Sequence, residues 1–304
     1  MIVASHARRL ALALAAAAVL SARGAATFAE DVPPDRLLEQ KADCVVTVRM
    51  VMKVHVHFFG RTSDNESIAT ARAAVVDESG LVMMSNTAAG GDSTGVVKAA
   101  LKGFGGDDAE IHAVPTDLRV IFASEGKEYP AVLVARDTNL DLAYVQITDL
   151  EGKKPVTVDF SPAPAVKTGQ TLLVATRKSR GFDCAPILLR AYPDMRVEKP
   201  RPMWGISGEL PDTGLPAYDG AGKFAGVVVL QAGSEGALEE GQAVEQGMFL
   251  VPADAIEKSL AAAKARVPAA LAAAKKAAET PKEPQDPKTP KTPKTPKEPE
   301  QPPK

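Results

Sequence analysis

Alternating apolar and polar positions run through most of the chain, and short turn signals break them. Cys44 to Phe59 is rich in valine and alternates in part with polar residues, as a half-buried strand does. Ala71–Asp77 and Leu81–Met84 flank Asp77-Glu78-Ser79-Gly80, which predicts a hairpin. Asp117–Ala123 and Glu128–Arg136 flank Ser124-Glu125-Gly126-Lys127 and predict another, and Leu142–Thr148 adds a strand. Ala89–Pro115, with Gly90-Gly91 and a second glycine group at 103–106, reads mainly as a long loop. A second set of strands is predicted at Thr171–Thr176, Pro186–Tyr192, Met203–Leu210, Lys223–Gln231 and Gly247–Val251. Many short strands with regular turn signals point to a sandwich or barrel.

The two ends read differently. A helix is expected from Asp254 to about Ala265, with Ala255, Ile256 and Leu260 able to face a core. Pro268 is expected to interrupt it before an alanine-rich continuation to about Ala278. From Thr280 the chain is lysine, proline and threonine, a composition that buries no apolar surface and is expected to stay extended. A solvated spacer is the expected role of that tail, with contact between its lysines and an acidic envelope polymer as the rival. At the other end, Arg8 and Arg9 precede an apolar run from Leu10 to Leu20, followed by small residues and a plausible cut after Ala29. This is the layout of a secretory signal peptide, with a signal anchor as the rival. The run is about half the ~20 residues a membrane span needs. A secreted or periplasmic protein is expected, with no membrane span after cleavage. The organisation read from these signals is a signal peptide over 1–29, a first β-barrel over 30–150, a second with its closing helix over 151–262, an alanine-rich helix over 263–279 and a disordered tail over 280–304. The linker between the halves lies near Glu151–Pro164.

Composition narrows the chemistry. Of the 304 residues 45% are apolar, enough for a core, and a net charge of −2 points to no nucleic-acid partner. Four histidines and two cysteines exclude most cysteine–histidine zinc frameworks. Cys44 and Cys184 could form a disulfide in an oxidising compartment, or be two small buried hydrophobes. His55 and His57 lie two apart on one strand and share a face, but no third ligand is placed to complete a metal set with them. His112 lies in the long loop, and ordinary strand histidines are the plainer reading. No metal or cofactor is expected.

Five segments, in order, resemble the trypsin-like serine proteases of the HtrA/Deg kind. Asp77 to Ala88 resembles that family's "D-x-x-G-Y-I-L-T-N-x-H-V". Asp117 to Ala131 resembles its "V-x-L-x-D-G-x-x-Y-P-A". Arg136 to Ala143 resembles "D-x-x-x-D-L-A-V-L-K-I", and Phe249 to Ile256 resembles "F-A-I-P-x-x-x-V". Pro211-Asp212-Thr213-Gly214-Leu215-Pro216, with Gly222 and Gly226 after it, resembles the nucleophile loop "G-N-S-G-G-P-L". Together they cover about residues 42–262, and no PDZ-like region is expected after them. The resemblance implies an all-β, chymotrypsin-like pair of antiparallel barrels with a cleft between them. It also implies a triad of histidine, aspartate and serine.

Carried over residue by residue, the triad is degenerate. The aspartate persists as Asp141, Thr87 stands at the histidine position and Thr213 at the serine position. Pro211 stands where the family has a glycine whose N–H helps hold the oxyanion, and proline has no N–H to give. A threonine hydroxyl is a poor nucleophile without a base, and Thr87 is no base near neutral pH. Loss of one oxyanion donor costs about 10²–10³ in turnover elsewhere. Ser207, in Gly205-Ile206-Ser207-Gly208, is a second nucleophile candidate, but it would need an insertion and still lacks a histidine. With no imidazole beside it, Asp141 is expected to accept backbone N–H groups and, if buried, to have a raised pKa. The expected function is therefore a non-catalytic module that binds an extended peptide or an envelope protein. In active relatives the strand after the serine loop helps do this, which maps onto Val227, Val228, Val229, Leu230 and Gln231, divided alternately between cleft and core. A hydrolase with residual or unusual activity through Thr213 or Ser207 is the rival.

Overall fold

The computed structural model describes residues 32–279 except 59, 92–109, 124, 164, 200 and 233–245. The expected signal peptide and lysine-proline tail lie outside the described residues.

Each half of the chain closes into a barrel because its strands run consecutively and pair antiparallel. The first barrel contains β1 (Val45–Phe58), β2 (Arg61–Asp77), β3 (Leu81–Ser85), β4 (Glu110–Phe122), β5 (Glu128–Asp137) and β6 (Leu142–Ile147), in the order β1-β2-β3-β6-β5-β4. The second contains β7 (Leu172–Arg177), β8 (Pro186–Val197), β9 (Met203–Ser207), β10 (Leu215–Tyr218), β11 (Phe224–Ala232) and β12 (Gln246–Pro252), in the order β10-β11-β12-β9-β8-β7. This is the chymotrypsin-like double barrel that the sequence predicts. A short helix α1 (Pro34–Lys41) precedes the first barrel, and a long helix α2 (Ala253–Glu279) follows the second.

The pleat sorts the apolar residues between two cores. Val46, Val48, Met50 and Met52 alternate along β1 into the first barrel, where they meet Val75, Val82, Met84, Val120 and Val145. Their neighbours on β3 and β6, among them Leu81, Met83, Leu142 and Tyr144, point the other way into a core shared with the second barrel. Both strands are therefore buried along their whole length. A fully buried Leu or Met contributes about 1.5–3 kcal/mol relative to an exposed one, so this double-sided burial fixes the seam where the two barrels meet. Val227, Val228, Val229, Leu215, Tyr218 and Phe224 of the second barrel belong to the same continuous core.

Helix α2 docks its first turns through Ile256, Leu260 and Ala263, at the spacing of one helical face. The Ser259 hydroxyl donates to Asp137 at 2.8 Å, and Lys264 Nζ lies 2.6 Å from Asp77 Oδ2.

Several expectations need correction. The helix does not break at Pro268 but continues through it to Glu279; one proline removes only the N–H that the Lys264 carbonyl would accept, and the alanine-rich turns on both sides are strong helix formers. The loop expected at Ala89–Pro115 contains the first half of β4, since β4 begins at Glu110, while residues 92–109 lie outside the described set. β2 begins at Arg61 rather than Ala71, so β1 and β2 form a ribbon paired out to Phe58 and Arg61. β10 lay in no predicted strand. Gly214 just before it and Pro216 within it argue against a strand locally, and it is held instead by pairing with β11 and β7. Cys44 and Cys184 are both buried free thiols. Burial, the largest influence, pushes the Cys44 thiol up to about 11.

Candidate functional site

The seam between the barrels gathers the residues that the sequence singled out. Asp141 sits in the turn Thr138–Asp141 just before β6, with φ 54, a left-handed conformation that aspartate tolerates better than most residues. Its own carbonyl accepts from Asn86 N–H at 2.9 Å, which ties that turn to the one after β3. Arg136 clamps the same post-β3 turn, donating to Asn86 Oδ1 at 2.6 Å and to the Ala89 carbonyl at 2.7 Å.

The Asp141 carboxylate is only 5% exposed and receives four donors. Thr87 gives Oδ1 both its N–H, at 2.7 Å, and its hydroxyl, at 2.8 Å. Oδ2 accepts the Ser85 hydroxyl at 2.9 Å and, more weakly, the Leu230 N–H of β11 at 3.4 Å. A carboxylate has about four lone-pair sites, so its acceptor capacity is filled by these groups. The Thr87 hydroxyl occupies one of them. Burial, the largest influence, raises the Asp141 pKa above the usual carboxylate range, and the bonds from Thr87, Ser85 and Leu230 pull against it. The sequence reading anticipated the backbone bonds and the upward shift; it missed Ser85 and the second-barrel donor, which only the closed fold brings near.

Thr213 lies in the loop between β9 and β10, half-buried, and Pro211 before it is exposed. Gly214 presses this loop onto the first barrel. A side chain there would begin 2.2 Å from Ser85 N and 2.6 Å from the Met84 carbonyl carbon, and Gly214 has φ 80. Its N–H donates to the Val228 carbonyl at 2.7 Å. The loop carrying Thr213, the turn carrying Thr87, and Asp141 thus share one seam. Asp212 beside them accepts from the Thr176 hydroxyl at 3.2 Å; burial raises its pKa and the nearby Arg72 opposes the rise.

The rescue candidates from the sequence are Ser207 and the strand histidines. Ser207 ends β9 opposite Tyr192 and is exposed. His55 bonds Asp64 at 2.6 Å and His57 bonds Thr62 at 3.1 Å on the exposed ribbon, beyond Met52, the last core residue of β1. His112 stands across from His55 on β4 rather than in a loop. Among the described residues no group of three or more His, Cys, Asp or Glu side chains is set to hold a metal ion.

The peptide-binding candidates divide differently from the alternation expected. Val227, Val228 and Val229 are all fully buried, because one face of β11 fills the second barrel and the other packs on the first barrel and α2. Leu230 and Gln231 are half-buried. Pairing of β11 with β10 stops at Val228 opposite Leu215, whereas pairing with β12 continues to Ala232. From Val229 onward, β11 therefore has a strand partner on one side only among the described residues.

Neither a protein-family model nor a curated protein matches this chain. Many solved structures are similar; among them is one described as the crystal structure of Deg5, at 15% identity and a TM-score of 0.44, with 74% of this chain and 90% of that chain covered. No described helix is long and apolar enough to cross a membrane.

Proposed function

We propose that this chain is a secreted trypsin-like domain whose catalytic site is dismantled and which binds extended peptide or protein partners of the cell envelope. One observation carries the reading: the acceptor sites of Asp141 are filled by Thr87, Ser85 and Leu230, so the one surviving triad residue has become a structural clasp between barrels. A base would have to stand between Asp141 and the hydroxyl of Thr213, and Thr87 in that position neither accepts a proton near neutral pH nor leaves a carboxylate lone pair for an imidazole. Pro211 removes an N–H from the place where a tetrahedral oxygen would need it.

The half-paired end of β11 supports the binding role. Backbone groups alternate in direction along a strand, and the Leu230 N–H faces Asp141 on the open side. The Leu230 carbonyl and the Ala232 backbone share that side and can extend the sheet by one strand. The test is a displayed library of extended peptides panned on the mature chain, with the enriched peptides resynthesised with alternate amides N-methylated. Strand addition predicts enrichment, and loss of binding in one of the two methylation registers. Binding indifferent to both registers, or no enrichment, would overturn it.

A further inference from the structure

A groove of about 580 Å³ opens between the barrels on the Pro211–Asp212 side of the seam, within the ~300–1,000 Å³ typical of ligand pockets. Its walls come from both halves: β1, β2 and the β4–β5 turn on one side, and the end of β7 with the β7–β8 connection on the other. Five lining side chains are basic and two are acidic, in a chain whose net charge is −2. The positive charge is thus concentrated in a cleft, where low-dielectric walls focus its field.

The local partners leave much of that charge unspent. Arg177 is engaged by Asp43 at 2.7 Å and by the carbonyls of Ala42 and Cys184, and Arg49 meets Glu128 at 3.5 Å. Asp212 is already bonded to Thr176. Arg72, in contrast, is held by two neutral oxygens, the Thr47 hydroxyl and the Lys178 carbonyl. These fix its guanidinium across the barrel–barrel gap, where the nearby Asp212 offsets part of its charge and the cations of Lys178 and Arg180 leave the groove positive. Lys178 and Arg180 are exposed and have no carboxylate partner among the described residues. Beside them Phe182, in the 3-10 turn Arg180–Phe182, is 69% exposed, an unusual cost for an aromatic ring.

We infer that this groove docks an acidic peptide segment, with carboxylates on Arg72, Lys178 and Arg180 and an apolar side chain on Phe182. Three cations on two facing walls suit an elongated chain of carboxylates rather than one small anion, and a positioned guanidinium takes a carboxylate in bidentate fashion. The exposed ring and the lining isoleucines Ile121 and Ile187 favour peptide over nucleic acid, whose dense charge the net-negative remainder of the chain repels. The groove contains none of Val227–Gln231, so this inference stands apart from strand addition on β11.

The test is fluorescence anisotropy of a short labelled peptide alternating glutamate and phenylalanine, with a glutamine-for-glutamate peptide as control. The full chain is expected to bind the acidic peptide and not the control, with affinity falling as salt rises from about 50 to 300 mM. The double variant Lys178→Glu/Arg180→Glu changes two exposed side chains, so its thermal unfolding should match the wild type while its affinity falls at least about tenfold. No binding by the wild type, equal affinity in the double variant, or displacement of the peptide by a duplex oligonucleotide at lower concentration would overturn the inference. N-methylation of the β11-directed peptides leaves this result untouched, so the two readings fail separately.

Discussion

Removing the Asp141 carboxylate should loosen the joint between the barrels, and the size of the loss depends on what replaces it. Asp141→Ala leaves the Thr87 N–H and hydroxyl, the Ser85 hydroxyl and the Leu230 N–H without their acceptor. The hydroxyls can turn to other partners or water; the two N–H groups cannot. Each buried donor left unsatisfied costs about 1–3 kcal/mol. The relief from no longer burying a carboxylate offsets part of this, so a net loss of about 3 kcal/mol is expected. Asp141→Asn is milder. Its amide nitrogen can take the Oδ2 position and donate to Ser85 Oγ, and its oxygen keeps both Thr87 donors. Only the long 3.4 Å bond from Leu230 is lost, for about 1 kcal/mol. The sign of the pH dependence follows from the raised folded pKa. Protonation is easier in the folded than in the unfolded chain, so the contribution of this group is fully present below the unfolded value near ~3.9 and is lost as pH rises through the folded one. The advantage of wild type over Asp141→Asn should therefore grow as pH falls from neutral towards about 4. Urea unfolding of the three proteins across that range measures all of this. An alanine variant within about 0.5 kcal/mol of wild type, or a wild-type advantage over Asn that shrinks as pH falls, would refute the reasoning.

Gly214→Ala should destabilise by several times the usual single-site effect of about 1 kcal/mol, because the added carbon meets backbone atoms of Met84 and Ser85 that cannot move aside; thermal unfolding checks it, and an unchanged midpoint would contradict the packing described. Lys264→Ala should raise the Asp77 pKa from about 2. Burial pushes that carboxyl up most strongly, but the bonds from Lys264 and Ser79 together outweigh it. Asp77 stabilises above its unfolded value near ~3.9, and this is lost as pH falls towards about 2. The variant should therefore unfold at a higher pH during acid titration. The double variant Thr87→His/Thr213→Ser should regain less than about one hundredth of the turnover expected for an intact site, since Pro211 still withholds a donor; a peptidase assay with and without Pro211→Gly separates the two losses. Cys44, with its thiol pushed up to about 11 by burial, should resist alkylation at neutral pH until the chain is unfolded, as mass spectrometry of iodoacetamide-treated protein would show.

Much of the frame could be read along the chain, because the double barrel is written in local signals. The Asp77–Gly80 turn and the β3 run Leu81–Ser85 are both explicit, and so is the aspartate turn ahead of β6. What escaped was long-range. The four residues of β10, with Gly214 before them and Pro216 among them, make a strand only because β7 and β11 flank them. The valines of β11 were expected to alternate between cleft and core, but all three are buried and both faces of that strand meet core. At the site, motif order along the chain pointed to Thr87, Thr213 and Pro211, and the fold brings the Thr213 loop and the Thr87 turn to one seam. The four-donor environment of Asp141 was not legible, because Ser85 and Leu230 come from opposite barrels and no local pattern joins them. The basic groove escaped for the same reason: Arg72 and Lys178 are far apart in sequence and meet only when the barrels close.

The central claim, that this scaffold offers neither a base for the Thr213 hydroxyl nor a full cradle for an oxyanion, is tested most directly by incubating the purified protein with unfolded casein and with a fluorophosphonate probe, beside Thr213→Ala. The account predicts no cleavage above buffer and no labelling in either protein. Turnover and labelling of the wild type, both abolished in Thr213→Ala, would contradict it.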